Sequence, residues 1–150
     1  MLKCKPKGMC SWDFTVEGEG VHAETVLNWG DDGSITHNGQ HYEITNKGMI
    51  NESWQMLKNG KVILTAKEPK FLRRTYLVTT EHGELELKPS RMMGYGRLLK
   101  GAGYDVEYKF VHPFTKRASI SGTYLSADVM LFGFWLTIAI AKEKADNTAD

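Results

Sequence analysis

Residues 126–144 read SADVMLFGFWLTIAIAKEK, and this stretch decides between two different architectures. Between residues 129 and 141 it contains no charged side chain, and Thr137 is its only polar one. The rest of the chain is polar and is interrupted at short intervals by glycine. An apolar rod of this kind either anchors a protein in a bilayer or forms the core around which the other residues fold.

The flanks of this stretch carry the signals of helix ends. Ser126 is a favourable N-cap, and Asp128 in the first turn suits the positive end of the helix dipole. Lys142 and Lys144 suit the negative end at the other terminus. The pattern predicts an α-helix over about residues 126–142 that is apolar on every side, unlike a surface helix with its polar back.

The length of the apolar run favours the core interpretation. A helix needs about 20 apolar residues to cross a hydrocarbon core, and runs of about 10–14 are more typical of buried core helices. The uncharged run here has 13 residues. The alternative is a small membrane-anchored protein in which residues 126–142 insert into the bilayer.

The chain before residue 122 consists of short segments rich in β-branched and aromatic residues. Glycine turns separate them, for example EGEG at 17–20, HNG at 37–39 and KNG at 58–60. This punctuation is typical of strands joined by hairpins. We count about eleven candidate strands and no helix in this part of the chain.

Several of these segments alternate apolar and polar residues. In GELELK (83–88) and YDVEYKF (104–110) every second residue is apolar. In KVILTAK (61–67), Val62 and Leu64 are expected to share the buried face. Alternation of this kind indicates antiparallel strands with one face toward a core.

The number of strands predicts a closed barrel. Eleven or twelve strands rarely form one open twisted sheet, and closure removes the exposed edges. A barrel of that size is too wide for wall side chains alone to fill, and the apolar helix would fill it. We therefore predict an all-β fold with one helix: a single domain, residues 1–150, in which a closed antiparallel barrel of about 11–12 strands surrounds a buried C-terminal helix. The tail, residues 145–150, is expected to fray.

Two parts of the chain resemble a known family. Asp128 opens and Glu143 closes the final hydrophobic segment, and the run LKNGKVILTAKEPKFLRRTYLVTTEHGELELK (57–88) places the basic loop KFLRRTY between two strands. With the meandering hairpins, these features resemble the tubby C-terminal-like superfamily, which includes tubby domains, plant LURP-one-related proteins and phospholipid scramblases. The resemblance implies a barrel closed around a C-terminal helix.

The resemblance also implies lipid binding without catalysis. Tubby domains bind phosphoinositide head groups through Lys and Arg on the barrel surface. Scramblases have been assigned calcium-stimulated lipid movement, with an acidic calcium-binding segment before the last helix. Here that segment, SISGTYLSAD (119–128), offers one carboxylate, Asp128, where calcium needs several oxygen ligands. No calcium site is expected.

The charges of the chain are unevenly distributed although the net charge is only +1. Residues 58–117 carry 13 Lys and Arg against 6 Asp and Glu, whereas residues 1–57 carry 4 against 8. Successive hairpins place alternate turns at the same end of a barrel, so basic residues near those turns are expected to cluster and to bind phosphate groups. The expected anion-binding residues are Lys67, Lys70, Arg73, Arg74, Lys88, Arg91, Arg97 and Lys100. A solvated polar surface is the alternative interpretation of this set.

No catalytic or metal-binding constellation stands out. The chain has no G-x-S-x-G, H-E-x-x-H, Walker or dinucleotide-binding motif. His37 and His41 bracket a turn and could face each other across a hairpin, but no third metal ligand is near in sequence. Cys4 and Cys10 do not have a zinc-binding spacing and are expected to be reduced thiols. We expect no cofactor, no metal and no enzymatic activity.

The sequence favours a non-enzymatic binding or scaffold protein that associates with anionic, phosphoinositide-like phospholipid head groups. The expected partner is an anionic lipid surface and not nucleic acid, for which the net charge is too low. We expect a cytoplasmic location, peripheral at a membrane. A lipocalin-like barrel that binds a small molecule or acts as an enzyme is a further alternative. In that fold the helix would lie outside the barrel, so burial of Trp135 counts against it.

Overall fold

The computed structural model describes residues 1–28, 32–47, 53–69, 74–90, 96–111 and 115–148. Within these residues the chain forms twelve strands followed by one helix. The strands are β1 (Leu2–Pro6), β2 (Phe14–Gly18), β3 (Val21–Leu27), β4 (Gly33–His37), β5 (Gln40–Asn46), β6 (Ser53–Lys58), β7 (Lys61–Lys67), β8 (Tyr76–Thr80), β9 (Gly83–Pro89), β10 (Arg97–Gly101), β11 (Tyr104–Phe110) and β12 (Ala118–Thr123). The helix is α1 (Ala127–Thr148).

The twelve strands close into an antiparallel barrel. Each strand pairs with its neighbours in sequence, and β1 pairs with β12. In the closing pair Leu2 lies opposite Ile120, and Cys4 lies opposite Ala118. Closure pairs both edges of the sheet. The predicted fold class is therefore confirmed.

The connections at the two ends of the barrel differ in length. At one end, five hairpins each have two residues between their strands, and we call this the hairpin end. The turn at Asn38 and Gly39 suits a two-residue hairpin because both residues have positive φ, 47° and 86°. At the other end, six connections of five to eight residues form what we call the loop rim. The described residues of these connections are 7–13, 28, 32, 47, 68, 69, 74, 75, 90, 96, 111 and 115–117.

The helix occupies the lumen of the barrel. It contacts β3 and β4 on one side and β10 and β11 on the other. Trp135 Nε1 donates a hydrogen bond to the Val26 carbonyl at 2.9 Å, and the Tyr108 hydroxyl donates to the Met130 carbonyl at 2.6 Å. The buried residues of α1 lie on all of its faces: Val129, Met130, Leu131, Phe132, Phe134, Trp135, Leu136, Thr137, Ile138, Ala139 and Ala141.

Two glycines make room for this packing. A Cβ atom at Gly133, in the middle of α1, would overlap the hydroxyl of Tyr108. A Cβ atom at Gly33, on β4, would overlap the indole ring of Trp135. Glycine in a helix interior costs about 1 kcal/mol relative to alanine, so its presence at position 133 reflects the close approach of the wall.

The helix begins where the sequence predicts and ends later. The predicted end at residue 142 is wrong, since α1 continues to Thr148. An ion pair one turn apart, Lys142 Nζ to Asp146 Oδ2 at 2.8 Å, supports the extra turns. The expected fraying is therefore wrong for residues 145–148, and residues 149–150 lie outside the described part. In the described part of the chain, no helix combines the length and apolarity that a membrane crossing requires.

The predicted strand faces are confirmed in β9 and β11 and are wrong at one residue of β7. Met56 pairs with Leu64 but Leu57 pairs with Val62, so Ile63 is an extra residue that forms a bulge. Because the bulge reverses the alternation, Leu64 is buried while Val62 is 41% exposed. The sequence alternation alone could not reveal this change of face.

Candidate functional site

The loop rim carries part of the predicted basic set. Long connections are where binding residues concentrate on a rigid scaffold. Four of the eight predicted residues lie at this end, in β7, β9, β10 and the β7–β8 connection: Lys67, Lys88, Arg97 and Arg74. Three others lie outside the described residues: Lys70, Arg73 and Arg91.

Arg97 is the unusual member of this set because it points into the barrel. It is the first residue of β10 and shares the inner face with Leu99, two residues later. Only 7% of the surface of Arg97 is exposed to solvent. The guanidinium Nη1 donates a hydrogen bond to the Arg74 carbonyl at 2.5 Å, and Cζ lies 5.9 Å from the ring centroid of Tyr76. A permanent positive charge therefore lies just inside the loop rim.

Arg97 forms no ion pair with a carboxylate among the residues that the structure describes. A guanidinium has five N–H donors, and the described residues supply one acceptor to them, the Arg74 carbonyl. The Glu68 carboxylate instead accepts the backbone N–H of Arg74 at 3.1 Å. Burial is the largest effect on the pKa of Arg97 and lowers it; the charge of Arg74 also lowers this pKa, whereas Tyr76 and Glu68 raise it. A buried charge in this condition is expensive and favours an incoming anion.

Arg74 contributes both backbone and side chain to the site. Its φ of 64° lies in the left-handed region, which non-glycine residues seldom adopt. This conformation accompanies the two hydrogen bonds that its N–H and its carbonyl make with Glu68 and Arg97. Its side chain is exposed. Strained backbone of this kind is often found where a structure holds a ligand-binding geometry.

The remaining predicted lysines lie on the outer surface. Lys67 is exposed and is the last residue of β7, and Lys88 is half-buried and is the last but one of β9, so both lie near the loop rim. Lys100 lies three residues after Arg97 on β10, so it faces outward and toward the hairpin end. Its Nζ pairs with Asp105 Oδ1 at 2.6 Å. The structure does not bring Lys100 together with Arg97.

Acidic residues at the loop rim are used to hold backbone. Asp13 Oδ1 accepts the N–H of Leu27 at 2.9 Å, and Asp32 Oδ1 accepts the N–H of Asn46 at 2.7 Å. Glu68 does the same within its own connection, where it accepts the N–H of Arg74. These carboxylates keep their negative charge while they hold the backbone, and the charge of Glu68 raises the pKa of Arg97.

A second polar cluster lies at the hairpin end, where α1 enters the barrel, and the sequence analysis did not predict it. Asp128 accepts hydrogen bonds from the Tyr42 hydroxyl at 2.8 Å, and its second oxygen lies 3.2 Å from His37 Nδ1. The Tyr104 hydroxyl accepts the backbone N–H of Ser126 at 2.9 Å. Burial, followed by the bond to Asp128, raises the pKa of Tyr42 to about 12. The cluster fixes the first turn of α1 to the wall.

The two histidines of the β4–β5 hairpin do not face each other. His37 lies opposite Gln40, and His41 lies opposite Thr36. His37 contacts Asp128, whereas His41 is exposed and its Nδ1 lies 3.2 Å from the Thr36 hydroxyl. The possibility that they face each other across the hairpin is wrong, because an even spacing within a hairpin does not imply opposition across it.

Metal ligands are not grouped in the part of the chain that the structure describes. No three His, Cys, Asp or Glu side chains there could hold an ion together. Both cysteines are free thiols, with Cys4 buried in the barrel and Cys10 exposed at the loop rim. Burial raises the pKa of Cys4 to about 12, so this thiol is unsuited to metal binding.

Comparison with known proteins gives no assignment. The chain matches no family model, no curated protein and no solved structure. A functional interpretation therefore rests on the geometry of the two polar clusters and of the loop rim.

Proposed function

We propose that this protein is a non-enzymatic binding module that takes anionic phosphate head groups, such as those of phosphoinositide-like lipids, at the loop rim. One observation carries the proposal: Arg97 is buried at the rim without a carboxylate partner among the described residues. A phosphate oxygen would supply the missing acceptors and counter-charge. Guanidinium groups suit this role because their planar fork matches phosphate oxygens.

The neighbours of Arg97 support the same ligand class. Arg74 lies beside it and exposes a second guanidinium, and Lys67 and Lys88 lie near the rim ends of β7 and β9, which are separated by β8. A buried arginine surrounded by exposed cations suits a multiply charged head group, with one phosphate held inside the rim and others at its surface. Each cation near an anionic leaflet contributes about 1 kcal/mol.

The position of α1 argues against the carrier alternative. Trp135 is 1% exposed and α1 fills the lumen, whereas a lipocalin-like protein keeps that space for its ligand. Membership of the tubby C-terminal-like superfamily is part of the proposal, and a barrel closed around a C-terminal helix agrees with it. The setting we propose is the cytoplasmic face of a membrane.

Cosedimentation with vesicles tests the proposal. Phosphatidylcholine vesicles are compared with vesicles that also contain a phosphatidylinositol phosphate, at low and at physiological salt. The wild-type protein is compared with Arg97→Met and with a matched control, Lys100→Met, on the same strand. Both substitutions remove one positive charge, but only the first removes the buried one.

The expected result is binding to the anionic vesicles alone, weakened by salt. Arg97→Met lowers the affinity at least about tenfold, since hydrogen bonds to a charged group are worth about 1.5–3 kcal/mol. Lys100→Met binds as the wild type does. Absence of vesicle binding by the wild-type protein, or equal losses in the two variants, would contradict the proposal.

A further inference from the structure

Two large apolar side chains are exposed at the loop rim. Met9, in the β1–β2 connection, is 93% exposed, and Val111, in the β11–β12 connection, is 64% exposed. Contact with water is unfavourable for an apolar side chain, and burial against an apolar partner removes this cost. Both lie at the same end of the barrel as Arg97.

The two connections touch each other because β1 and β12 are paired. Lys116 Nζ donates to the Ser11 carbonyl at 3.3 Å and lies 4.1 Å from the ring centroid of Trp12. The Val111 N–H donates to the Arg117 carbonyl at 2.8 Å. A lysine from one connection is thus held on an aromatic ring of the other. Met9 and Val111 therefore belong to one connected part of the rim.

Met9 is presented by a closed turn. The Lys7 N–H donates to the Asp13 carbonyl at 2.9 Å, and the Ser11 N–H donates to the Gly8 carbonyl at 3.1 Å. Met9 lies inside the turn that both hydrogen bonds close. Since these bonds fix the backbone, insertion of the Met9 side chain costs its rotamer entropy but little backbone entropy.

The basic site continues from this part of the rim. Arg97 pairs with Tyr108 on β11, three residues before Val111. Lys116 and Arg117 lie in the same connection as Val111. Lys7 lies two residues from Met9, and its Nζ pairs with Glu24 Oε2 at 2.9 Å. Apolar side chains bordered by cations are the combination that binds the interface of an anionic bilayer, where charges meet head groups and apolar groups enter the acyl boundary.

We propose that Met9 and Val111 insert into the acyl boundary of an anionic membrane leaflet when the loop rim binds it. This inference rests on the proposed function, and it makes the source of the phosphate a lipid surface and not a free phosphate. A soluble phosphate needs the cations alone, whereas a leaflet engages the cations and the apolar side chains together.

The test separates apolar insertion from head-group binding. The double variant M9S/V111S is compared with wild type and with V62S/L125S, which removes two exposed apolar side chains at the hairpin end. Affinity is measured for vesicles of phosphatidylcholine with phosphatidylserine and a phosphatidylinositol phosphate. Affinity for a soluble inositol phosphate is measured in parallel by calorimetry. All four substituted residues are exposed, and circular dichroism verifies that each variant is folded.

The expected result is that M9S/V111S binds the vesicles at least about tenfold more weakly, because burial of a large apolar side chain is worth about that factor or more. The same variant binds the soluble inositol phosphate with unchanged affinity, and V62S/L125S matches wild type in both assays. Equal vesicle affinity of M9S/V111S and wild type would overturn the insertion but leave the head-group site intact. Failure of the wild type to bind either ligand would overturn the proposed function itself.

Discussion

Arg97 donates a hydrogen bond from its buried guanidinium to the backbone carbonyl of Arg74, so two positively charged residues are held together at the loop rim. Burial is the main cause that lowers the pKa of Arg97, and repulsion from the charge of Arg74 adds to it. The two residues can lie together because Arg97 bonds to the backbone carbonyl of Arg74 and not to its guanidinium. The arrangement concentrates positive charge where a small anion could contact both residues.

This relationship predicts that Arg97 stabilises a ligand complex more than it stabilises the fold. Replacing it with methionine removes a buried charge that has no carboxylate partner among the described residues and keeps an apolar side chain, so the free energy of unfolding should rise by about 1 kcal/mol. Urea unfolding measures the change. An inositol phosphate at a hundred times its dissociation constant should stabilise the wild type by about 2.7 kcal/mol and the variant much less. A variant destabilised by several kcal/mol would show that Arg97 is a structural residue.

The sign of the change in the free energy of unfolding caused by Gly133→Ala tests the position of α1. In an unhindered helix, Gly→Ala is stabilising by about 1 kcal/mol. Here the added Cβ would overlap the Tyr108 hydroxyl, so Gly133→Ala should be destabilising by about 1–3 kcal/mol. Gly8→Ala serves as a control, since its nearest neighbour is the Ser11 Cβ at 4.0 Å. That control should change the free energy of unfolding by less than about 0.5 kcal/mol. A stabilised Gly133→Ala protein would contradict the position of α1.

Cys4 predicts a loss of stability in alkaline solution. Burial raises the pKa of its thiol from 9.0 to about 12, so the unfolded chain loses this proton first as the pH rises. The contribution is fully present below about pH 9 and is lost as the pH approaches 12. Between pH 9 and pH 10 the free energy of unfolding should fall by about 1 kcal/mol from this group. Tyr42, with its pKa raised from 10.0 to about 12, adds to the loss at higher pH.

The control for this prediction is the cross-strand neighbour of Cys4. Val16 is buried opposite Cys4 and does not titrate. Cys4→Ala should flatten the pH dependence between about pH 9 and pH 10, whereas Val16→Ala should lower stability equally at both values and keep the slope. An unchanged slope in Cys4→Ala would show that the thiol is not the group responsible.

The bulge in β7 predicts opposite outcomes for two neighbouring apolar residues. Val62→Thr should change the free energy of unfolding by less than about 0.5 kcal/mol, because the bulge turns Val62 to the outside. Leu64→Ala should cost about 2–5 kcal/mol, because Leu64 is 5% exposed. Chemical denaturation of both variants measures the difference. Similar costs at the two positions would place Val62 back on the inner face.

The barrel and its helix could be predicted because each has a strong local signal. Glycine turns and period-two alternation mark the strands, and the run between residues 129 and 141 is too short to cross a bilayer and too apolar for a surface. The later end of α1 could not be read in the same way. It depends on Lys142 and Asp146, which also suit an irregular polar tail.

The candidate site was only partly predictable. The abundance of Lys and Arg in the middle of the chain was visible, but the inward direction of Arg97 depends on the register of β10. Leu99 at the following inward position was the one signal for it. The cluster of Asp128, Tyr42 and His37 joins residues 86 and 91 positions apart, so only the closed barrel brings it together.

The most direct test of the central claim is calorimetric titration of a soluble inositol phosphate into the wild-type protein, Arg97→Met and Lys100→Met. The account predicts salt-sensitive binding by the wild type and by Lys100→Met, and affinity reduced at least about tenfold in a folded Arg97→Met protein. Wild-type affinity in Arg97→Met would contradict the claim that the buried guanidinium at the loop rim binds the anion.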